Sequence, residues 1–171
     1  MSVLETERLV LREAVAEDAP FILALLNSPG FLENIGDRGV RTEDEARAYI
    51  VERMIGSYDQ HGFGMWLTLQ KADAAPVGLA GLVRREGLDV PDVGYAFAPR
   101  AWGRGYAQEA AAAVLAHAQG PLGIPILAAI TSPENFASMA VLRKIGFTFV
   151  GMITLPGAER ESTHFTVGAC R

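Results

Sequence analysis

Cysteine is nearly absent from this chain, which carries only Cys170 in 171 residues. One thiol can form neither an internal disulfide nor a thiolate-rich metal site, and its position beside the C-terminus disfavours a catalytic role. The three histidines, His61, His117 and His164, show no metal-ligand spacing. We therefore expect no internal disulfide and no bound metal.

Long apolar runs and a surplus of basic residues are absent as well. The longest apolar stretches, 110–116 and 124–130, fall well short of the roughly 20 residues that a membrane-spanning helix needs. The first residues are partly acidic and include no apolar run followed by a cleavage site, which predicts a cytoplasmic protein. A net charge of −5 argues against broad capture of nucleic acid. Neither a membrane nor a nucleic acid is therefore expected as a partner.

What is present fits one compact domain. Of the 171 residues, 50% are apolar and 20% are charged, enough for one sizeable core but too few for two ordinary domains. No repeat or low-complexity segment interrupts the sequence, and glycine and proline are scattered between periodic runs. We predict a single domain over residues 1–171.

The first part of the chain shows one strand pattern and two helix patterns. Alternating apolar residues at 9–15 predict a strand, and apolar residues spaced as on a helix face follow at 21–26. The Ser-Pro-Gly sequence at 28–30 predicts the end of that helix and a loop up to Arg41. A capping-box pattern in Thr-Glu-Asp-Glu then predicts a helix over about 42–58.

The second part predicts a sheet with one crossover. The runs 63–69, 77–83 and 93–97 are β-branched or aromatic and are separated by turn residues, which predicts three consecutive antiparallel strands. From Gly103, small apolar residues recur at helical spacing, so a helix should lie close against the sheet. The apolar run 124–130 has strand length, and a strand–helix–strand crossover implies that it pairs in parallel with 93–97.

Residues 137–145 predict a further helix, and 147–150 and 163–167 predict further strands. The fold class expected from these elements is α/β (α+β), with a mixed central sheet whose first half is antiparallel.

The segment RAWGRGYA, residues 100–107, lies between a predicted strand and a predicted helix. Gly103 and Gly105 permit a tight turn and let backbone N–H groups approach a ligand closely. The positive end of the helix dipole would stabilise a pyrophosphate there, and Arg100 or Arg104 could add charge-assisted hydrogen bonds. The glycine spacing alone also fits a purely structural turn.

Two other phosphate-binding patterns do not fit this segment. A dinucleotide fingerprint needs a third Gly or Ala where Gln108 stands, and no acidic residue follows about 20 positions later. A P-loop needs Gly-Lys-Ser/Thr, which the chain does not contain. A nucleotide-binding protein is therefore the weakest of the alternatives considered.

Arg100, Gly103 and Gly105 match the acyl-CoA turn, Q/R-x-x-G-x-G/A, of the GCN5-related N-acetyltransferase (GNAT) family, which the chain resembles. Asn135 and Ser138, followed by a helix that ends in Gly-Phe, resemble the second motif of that family, N-x-x-S/A. Further similarity, to the ribosomal-protein N-terminal acetyltransferases of the RimJ/RimL type, lies in residues 5–12, 64–66, 77–78 and 93–95. The resemblance thus covers nearly the whole chain.

The resemblance implies the GNAT fold, with a sheet of six to seven strands, about four helices and a splayed parallel pair at the acyl-CoA site. It implies acetyl-CoA as the co-substrate, with the pantetheine arm between strands 93–98 and 124–130. The residues that it places at the co-substrate are Phe97, Ala98, Arg100, Gly103, Arg104, Gly105, Tyr106, Ala107, Asn135 and Ser138.

The same resemblance implies that Asn135 hydrogen-bonds the pantetheine arm and that Ser138 donates a proton to the leaving thiolate. Their alternative interpretations are a helix cap for Asn135 and an ordinary first-turn hydroxyl for Ser138. Leu142 stands where many relatives carry a tyrosine, which excludes a tyrosine acid at that position. Asp92, on the central strand, is the candidate base, and its alternative interpretation is a solvated turn residue after Pro91.

The sequence gives weaker signals for the acceptor pocket than for the co-substrate site. Glu33, Asp37 and His61 lie in loops where this family forms its acceptor pocket, although each also fits a solvated surface group. We expect the protein to act alone or as a homodimer.

The predicted activity is acetyl transfer to a primary amine by direct attack, with a backbone N–H near Phe97 and Ala98 stabilising the oxyanion. A lysine-like amine with a pKa of about 10.4 is almost fully protonated at pH 7, whereas an α-amino group with a pKa near 7.7–8.0 is partly neutral. Because no strong base is apparent, a protein N-terminus is favoured over a small-molecule amine, and both stay open. A non-catalytic acyl-CoA-binding or sensory domain is the alternative function.

Overall fold

The computed structural model describes residues 2–168, so Cys170 lies outside the described residues. Across residues 2–168 runs a mixed sheet of eight strands in the order β1-β2-β3-β4-β5-β6-β8-β7. The strands are β1 (Ser2–Glu5), β2 (Leu9–Arg12), β3 (Met65–Gln70), β4 (Pro76–Val83), β5 (Asp92–Phe97), β6 (Leu127–Thr131), β7 (Thr148–Ile153) and β8 (Ser162–Val167).

Helices lie between β2 and β3 and on the crossovers that follow β5 and β6. They are α1 (Ala19–Leu26), α2 (Pro29–Asn34), α3 (Glu43–Tyr49), α4 (Gly56–His61), α5 (Tyr106–Gln119) and α6 (Phe136–Lys144). A π-helical segment, Ile50–Ile55, joins α3 to α4, so the chain is helical without a break from Glu43 to His61. None of the helices in the described part of the chain has the length and apolar character needed to cross a membrane.

The capping box predicted at Thr42 is confirmed. The Thr42 hydroxyl accepts a hydrogen bond from the Glu45 N–H, and the Glu45 carboxylate accepts one from the Thr42 N–H, both at 3.1 Å. The helix continues past the predicted end to His61, where Gly62 adopts a left-handed φ of 75° and terminates it. Local side-chain chemistry thus fixes both ends of this long helix.

The face of α5 that packs against β4 and β5 consists of small and aliphatic side chains. Ala110, Ala111, Val114 and Ala118 are each 0% exposed. Because alanine side chains are short, the helix lies near the sheet, as the spacing predicts. This packing holds the first turn of α5 just beyond the end of β5.

Strands β5 and β6 are parallel, as predicted, but they are in register only at Asp92 and Ala128. The Ala128 N–H donates to the carbonyl of Pro91 at 3.0 Å. Beyond this point the two strands diverge, whereas β4 and β5 stay paired along six residues, from Asp92 to Phe97. The described sheet is therefore splayed at the place where the sequence predicts an acyl-CoA site.

When α3, the π-helical segment and α4 are counted as one helix, two described elements exceed the expected six to seven strands and about four helices. Strand β1 pairs antiparallel with β2 but is only 4 residues long, too short for alternation to identify it. Helix α2 occupies part of the predicted loop between Ser28 and Arg41. The loop prediction was wrong there because Pro29 is the first residue of α2, a position where the missing N–H costs no hydrogen bond.

Candidate functional site

A cleft of about 1340 Å³ follows the gap between β5 and β6. Its walls come from the turn after β5, from α6, and from α2 and the helical segment 43–61. The volume exceeds the roughly 300–1,000 Å³ that is typical of a site for one small molecule. The cleft is therefore large enough for an extended ligand together with a second reactant.

The turn between β5 and α5 has the geometry that its glycines predict. Gly103 and Gly105 have φ values of 74° and 78°, a left-handed conformation that side chains with a Cβ adopt at a cost. Gly105 occupies the N-cap position of α5 and offers no side chain to its first-turn N–H groups. These N–H groups, at the positive end of the helix dipole, are left for an anionic ligand.

Of the two residues that follow the turn, Tyr106 is buried and Ala107 lines the cleft. The Tyr106 hydroxyl donates to Gln70 Oε1 at 3.1 Å. Tyr106 therefore has its side chain in the interior and can offer a ligand only its backbone.

The two arginines of the turn do not face the cleft as expected. Arg100 donates a hydrogen bond to the carbonyl of Pro76 at the start of β4, and its side chain does not line the cleft. The Arg100 guanidinium is thus engaged at the start of β4, and this geometry does not support the predicted contact of Arg100 with a phosphate. Arg104 is exposed, and its backbone carbonyl accepts a hydrogen bond from Arg8 Nη1 at 2.8 Å.

Arg8 was not identified as a site residue from the sequence. Its Nε and Nη2 both donate to Glu109 Oε2 at 2.7 Å, and Glu109 Oε1 accepts from the Arg8 N–H at 2.9 Å and from Thr6 Oγ1 at 2.5 Å. The guanidinium also lies over the ring of Tyr106, 4.7 Å from its centroid. Partial burial acts to raise the pKa of Glu109, but the hydrogen bonds from Thr6 and Arg8 outweigh it and lower that pKa. Glu109 is thus a stable anion held by the turn between β1 and β2.

The open edge of β5 presents backbone groups to the cleft. The Ala98 N–H donates to the carbonyl of Val77 on β4 at 2.9 Å, so it is not available to an oxyanion, contrary to expectation. Backbone groups alternate in direction along a strand, so the amides of Tyr95 and Phe97 point to the opposite side, toward β6. Of the two predicted positions, Phe97 is the one whose N–H faces the cleft.

Trp102 links this strand to α2. Its indole Nε1 donates to the Phe97 carbonyl at 2.8 Å, and its six-membered ring lies against Gly30. A Cβ added at Gly30 would lie 2.8 Å from two ring carbons, so only glycine fits there without a shift. The turn at β5 is thereby packed against the helix on the other wall of the cleft.

The second motif brings Asn135 and Ser138 to the cleft. Asn135 Oδ1 accepts the Ser138 N–H at 3.2 Å, which makes Asn135 the cap of α6 and leaves its Nδ2 outside the cap. The Ser138 hydroxyl lies 2.7 Å from the hydroxyl of Tyr95, on β5. The sequence excluded a tyrosine at 142, but the fold brings one from a strand to the same serine.

Tyr95 is held as a neutral phenol. Burial raises its pKa to about 12, although the hydrogen bond with Ser138 opposes the shift. Its hydroxyl also lies 3.2 Å from the Ser138 carbonyl, to which it can donate. The only sequence signal for this residue was its place in the Val-Gly-Tyr run of a strand that borders the cleft.

Asp92 is 1% exposed, so the alternative interpretation as a solvated turn residue was wrong. Arg85 Nε donates to both carboxylate oxygens, at 3.0 and 3.2 Å. Burial raises the pKa of Asp92, and the charge and hydrogen bonds of Arg85 act against that rise. Both residues line the cleft.

Among the expected acceptor residues, only His61 lines the cleft, where it stacks on Phe63 with ring centroids 5.6 Å apart. Asp37 forms an ion pair with Arg41 at 2.5 Å, and Glu33 is exposed outside the cleft. Within residues 2–168, no group of three His, Cys, Asp or Glu side chains could hold a metal ion.

Comparison with known proteins identifies the family of this chain. Residues 8–148 match the family model described as acetyltransferase (GNAT) domain. The chain is 31% identical over 151 residues to the uncharacterized protein YkkB of Bacillus subtilis, covering 85% of each. It is 29% identical over 153 residues to the FsC-acetyl coenzyme A-N(2)-transacetylase of Aspergillus fumigatus, covering 86% of this chain and 65% of the relative.

A solved structure supports the fold. RimL, a ribosomal L7/L12 α-N-protein acetyltransferase in complex with coenzyme A, superimposes with a TM-score of 0.83 at 20% identity, over 98% of each chain. At this identity the likeness concerns the fold.

Proposed function

Because this chain belongs to the GNAT acetyltransferase family and is an N-acetyltransferase, we propose that it transfers the acetyl group of acetyl-CoA to a primary amine by direct attack, preferentially the α-amino group of a protein N-terminus. One observation carries the proposal. The cleft joins the uncapped first turn of α5 to the open edge of β5 and to the Ser138–Tyr95 hydroxyl pair.

The chain's own groups fit the two ends of the co-substrate. Backbone N–H groups from Gly103 to Ala107 bind the pyrophosphate, and the exposed Arg104 side chain, which does not line the cleft, adds positive charge near the turn. Phe97, Ala98 and Asn135 flank the pantetheine arm, Asn135 through the Nδ2 that its capping role leaves free. Arg100 is not part of this phosphate site, because its guanidinium donates a hydrogen bond to the Pro76 carbonyl at the start of β4.

Bound acetyl-CoA supplies the thioester carbonyl that the amine attacks. The Phe97 N–H donates to the carbonyl oxygen as negative charge develops there. As the C–N bond forms and the C–S bond breaks, the Ser138 hydroxyl protonates the departing sulfur. Asp92 accepts, through water, the proton that the attacking nitrogen loses. The proton taken up by Asp92 then returns through water to Ser138, so the amine has lost one proton, the sulfur has gained one, and both side chains regain their starting protonation states.

The acceptor preference follows from proton affinity. Asp92 is held by Arg85, which opposes the rise in its pKa and limits its strength as a base. A lysine-like amine with a pKa of about 10.4 is neutral in roughly one molecule in a few thousand at pH 7, whereas about a tenth of an α-amino group is neutral. A weak base is therefore sufficient only for the α-amino group.

The test is a turnover assay that follows thiol release and acceptor mass. The panel contains peptides with a free N-terminus and no lysine, peptides with a blocked N-terminus and one lysine, and small amines. Faster acetylation of the free N-termini supports the proposal. Preferential acetylation of lysine or of small amines would overturn the acceptor assignment, and acetyl-CoA binding without turnover on any acceptor would overturn the reaction.

A pair of glycine variants tests the co-substrate site itself. Gly105→Glu adds a side chain and a negative charge at the proposed phosphate position and should abolish acetyl-CoA binding. Gly123→Glu is the matched control, because Gly123 also has a left-handed φ, 64°, but has no atom within 4 Å of an added Cβ and does not line the cleft. Calorimetry that gives equal affinities for the two variants would contradict the site.

A further inference from the structure

The N-terminal segment before β2 contacts the pyrophosphate turn although about a hundred residues separate them. Arg8 Nη1 donates to the Arg104 carbonyl at 2.8 Å, while its Nε and Nη2 are fixed on Glu109. A Cβ placed on Gly105 would lie 3.4 Å from Arg8 Nη2, so the guanidinium lies directly beside the turn. One side chain thus bridges the peptide between the two glycines and the first turn of α5.

These contacts orient the turn. Gly103 and Gly105 are both in the left-handed region, and the peptide between them has no partner in a regular strand or helix. A hydrogen bond to the Arg104 carbonyl fixes that peptide plane and, with it, the direction of the following Gly105 N–H. Glycine flexibility would otherwise allow several orientations, at an entropic cost on ligand binding.

Glu109 has a second consequence for an anionic ligand. Its carboxylate lies in the first turn of α5, where it would repel a bound phosphate. Arg8 and Thr6 occupy both of its oxygens with donors, and Arg8 neutralises its charge. The pairing therefore removes a negative charge from the edge of the site as well as fixing the turn.

We infer that Arg8 is a positioning residue for the co-substrate: through Glu109 and the Arg104 carbonyl, it holds the 103–107 turn in the conformation that receives the pyrophosphate. The inference rests on the proposed function, because it assumes that this turn binds the pyrophosphate of acetyl-CoA. It assigns a role to the Thr6–Arg8 segment, which the sequence linked only to family resemblance.

The test compares Arg8→Gln and Arg8→Lys with the wild-type protein. Loss of one charge-assisted hydrogen bond and of the ion pair should raise the KM for acetyl-CoA and the Kd for coenzyme A about tenfold in Arg8→Gln. The kcat at saturating acetyl-CoA and the KM for the acceptor should stay within about twofold. Arg8→Lys keeps the charge but cannot bond Glu109 and the Arg104 carbonyl at the same time. Its KM for acetyl-CoA and its Kd for coenzyme A should therefore lie between those of the wild type and of Arg8→Gln.

Arg12→Gln is the matched control. Arg12 lies on β2, four residues further along, and its two terminal nitrogens bond Asp18 at 2.8 Å each, away from the cleft. Its loss disturbs the same hairpin without touching the turn. Acetyl-CoA affinity should therefore be unchanged in Arg12→Gln, and a loss equal to that of Arg8→Gln would overturn the inference.

A truncated acetyl donor distinguishes a positioning role of Arg8 from a general loss of structure in the variant. S-Acetylpantetheine carries the thioester but no pyrophosphate, so its kcat/KM should be the same in wild type and Arg8→Gln, while that of acetyl-CoA falls. Equal losses for both donors would mean that Arg8 supports only the fold and would overturn the inference. If the wild type binds coenzyme A and Arg8→Gln binds it equally well, this inference alone fails; if the wild type does not bind it, the proposed function fails first.

Discussion

Replacing Arg85 by methionine should destabilise the protein, and the loss should depend on pH. The Arg85 and Asp92 side chains are 31% and 2% exposed, so the substitution leaves a buried carboxylate without its cation. Breaking a buried ion pair from one side costs about 3–5 kcal/mol. We expect about 3 kcal/mol at pH 8, the lower end, because the partial exposure of Arg85 lets water replace part of the lost interaction.

The direction of the pH dependence follows from Asp92. Its pKa is raised in the folded protein by burial, and without Arg85 it should rise further. A folded-state pKa above the unfolded value means that folding favours the protonated group, so stability is lost as the pH rises through the folded pKa. The free energy of unfolding can fall by about 1.4 kcal/mol per pH unit over the range in which the folded state binds one proton more than the unfolded state. The deficit of Arg85→Met relative to wild type should therefore shrink toward acidic pH.

Urea unfolding of the wild type and of Arg85→Met, measured from pH 8 to pH 5, provides the assay. In thermal unfolding of a chain of this size, a loss of about 3 kcal/mol corresponds to a fall in Tm of roughly 6–12 °C. Arg47→Met is the control for an exposed pair, since Arg47 contacts Glu43 and Asp44 at the surface and should cost no more than about 0.5 kcal/mol.

A double variant provides the complementary measurement. Arg85→Met with Asp92→Leu replaces the ion pair by apolar side chains and should recover stability to within about 1 kcal/mol of wild type, with no such pH dependence. A deficit in Arg85→Met that is the same at pH 5 and pH 8, or a double variant as unstable as the single one, would refute the reasoning from a buried, uncompensated charge.

Further expectations concern activity and local stability. Tyr95→Phe should lower kcat about tenfold without changing the KM for acetyl-CoA, and Ser138→Ala should show no additional loss when combined with it, as a double-mutant cycle of kcat would reveal. Asp92→Asn should flatten the limb of the kcat/KM profile that rises with pH through the Asp92 pKa; an unchanged profile would remove Asp92 as the base. Gly105→Ala should lose about 1 kcal/mol of unfolding free energy because of its positive φ, measured in urea. Thr42→Ala should lose about 1 kcal/mol by the same measurement, since it removes a helix cap, and no loss would contradict the capping box.

The features that the sequence predicted correctly depend on neighbouring residues. The capping box at Thr42 needs residues three apart, and the turn at 103–105 needs two glycines between a strand and a helix. The β-branched or aromatic runs of β4 and β5, bounded by turn residues, and the helical spacing of α5 are equally local. These local patterns also predict the parallel pairing of β5 with β6, since a strand–helix–strand crossover allows little else.

The features that the sequence missed depend on distant contacts. Tyr95 meets Ser138 across 43 positions, and Arg8 meets Arg104 across 96. No spacing rule connects such residues, because their separation reflects the order of strands in the sheet. Asp92 follows a proline and a turn, so exposure was one of its two interpretations, and its burial between β4 and β6 depends on strands that are distant in the sequence. Helix α2 was missed for another reason. A Pro-Gly pair is found both after the end of a helix and in the first turn of one, so Pro29 and Gly30 did not distinguish a loop from a new helix.

The divergence of β5 and β6 lowers the stability of the sheet but keeps the cleft open. A single registered pair, Asp92 with Ala128, joins the two strands, so the described sheet forgoes the hydrogen bonds that continued pairing would have made. Substitutions that draw the strands together would strengthen the sheet and close the cleft in the same movement. Selection for heat resistance alone should therefore favour a more stable protein with a narrower cleft. Thermostability engineering of this chain should begin at the capping residues and surface loops, far from the divergence of these two strands.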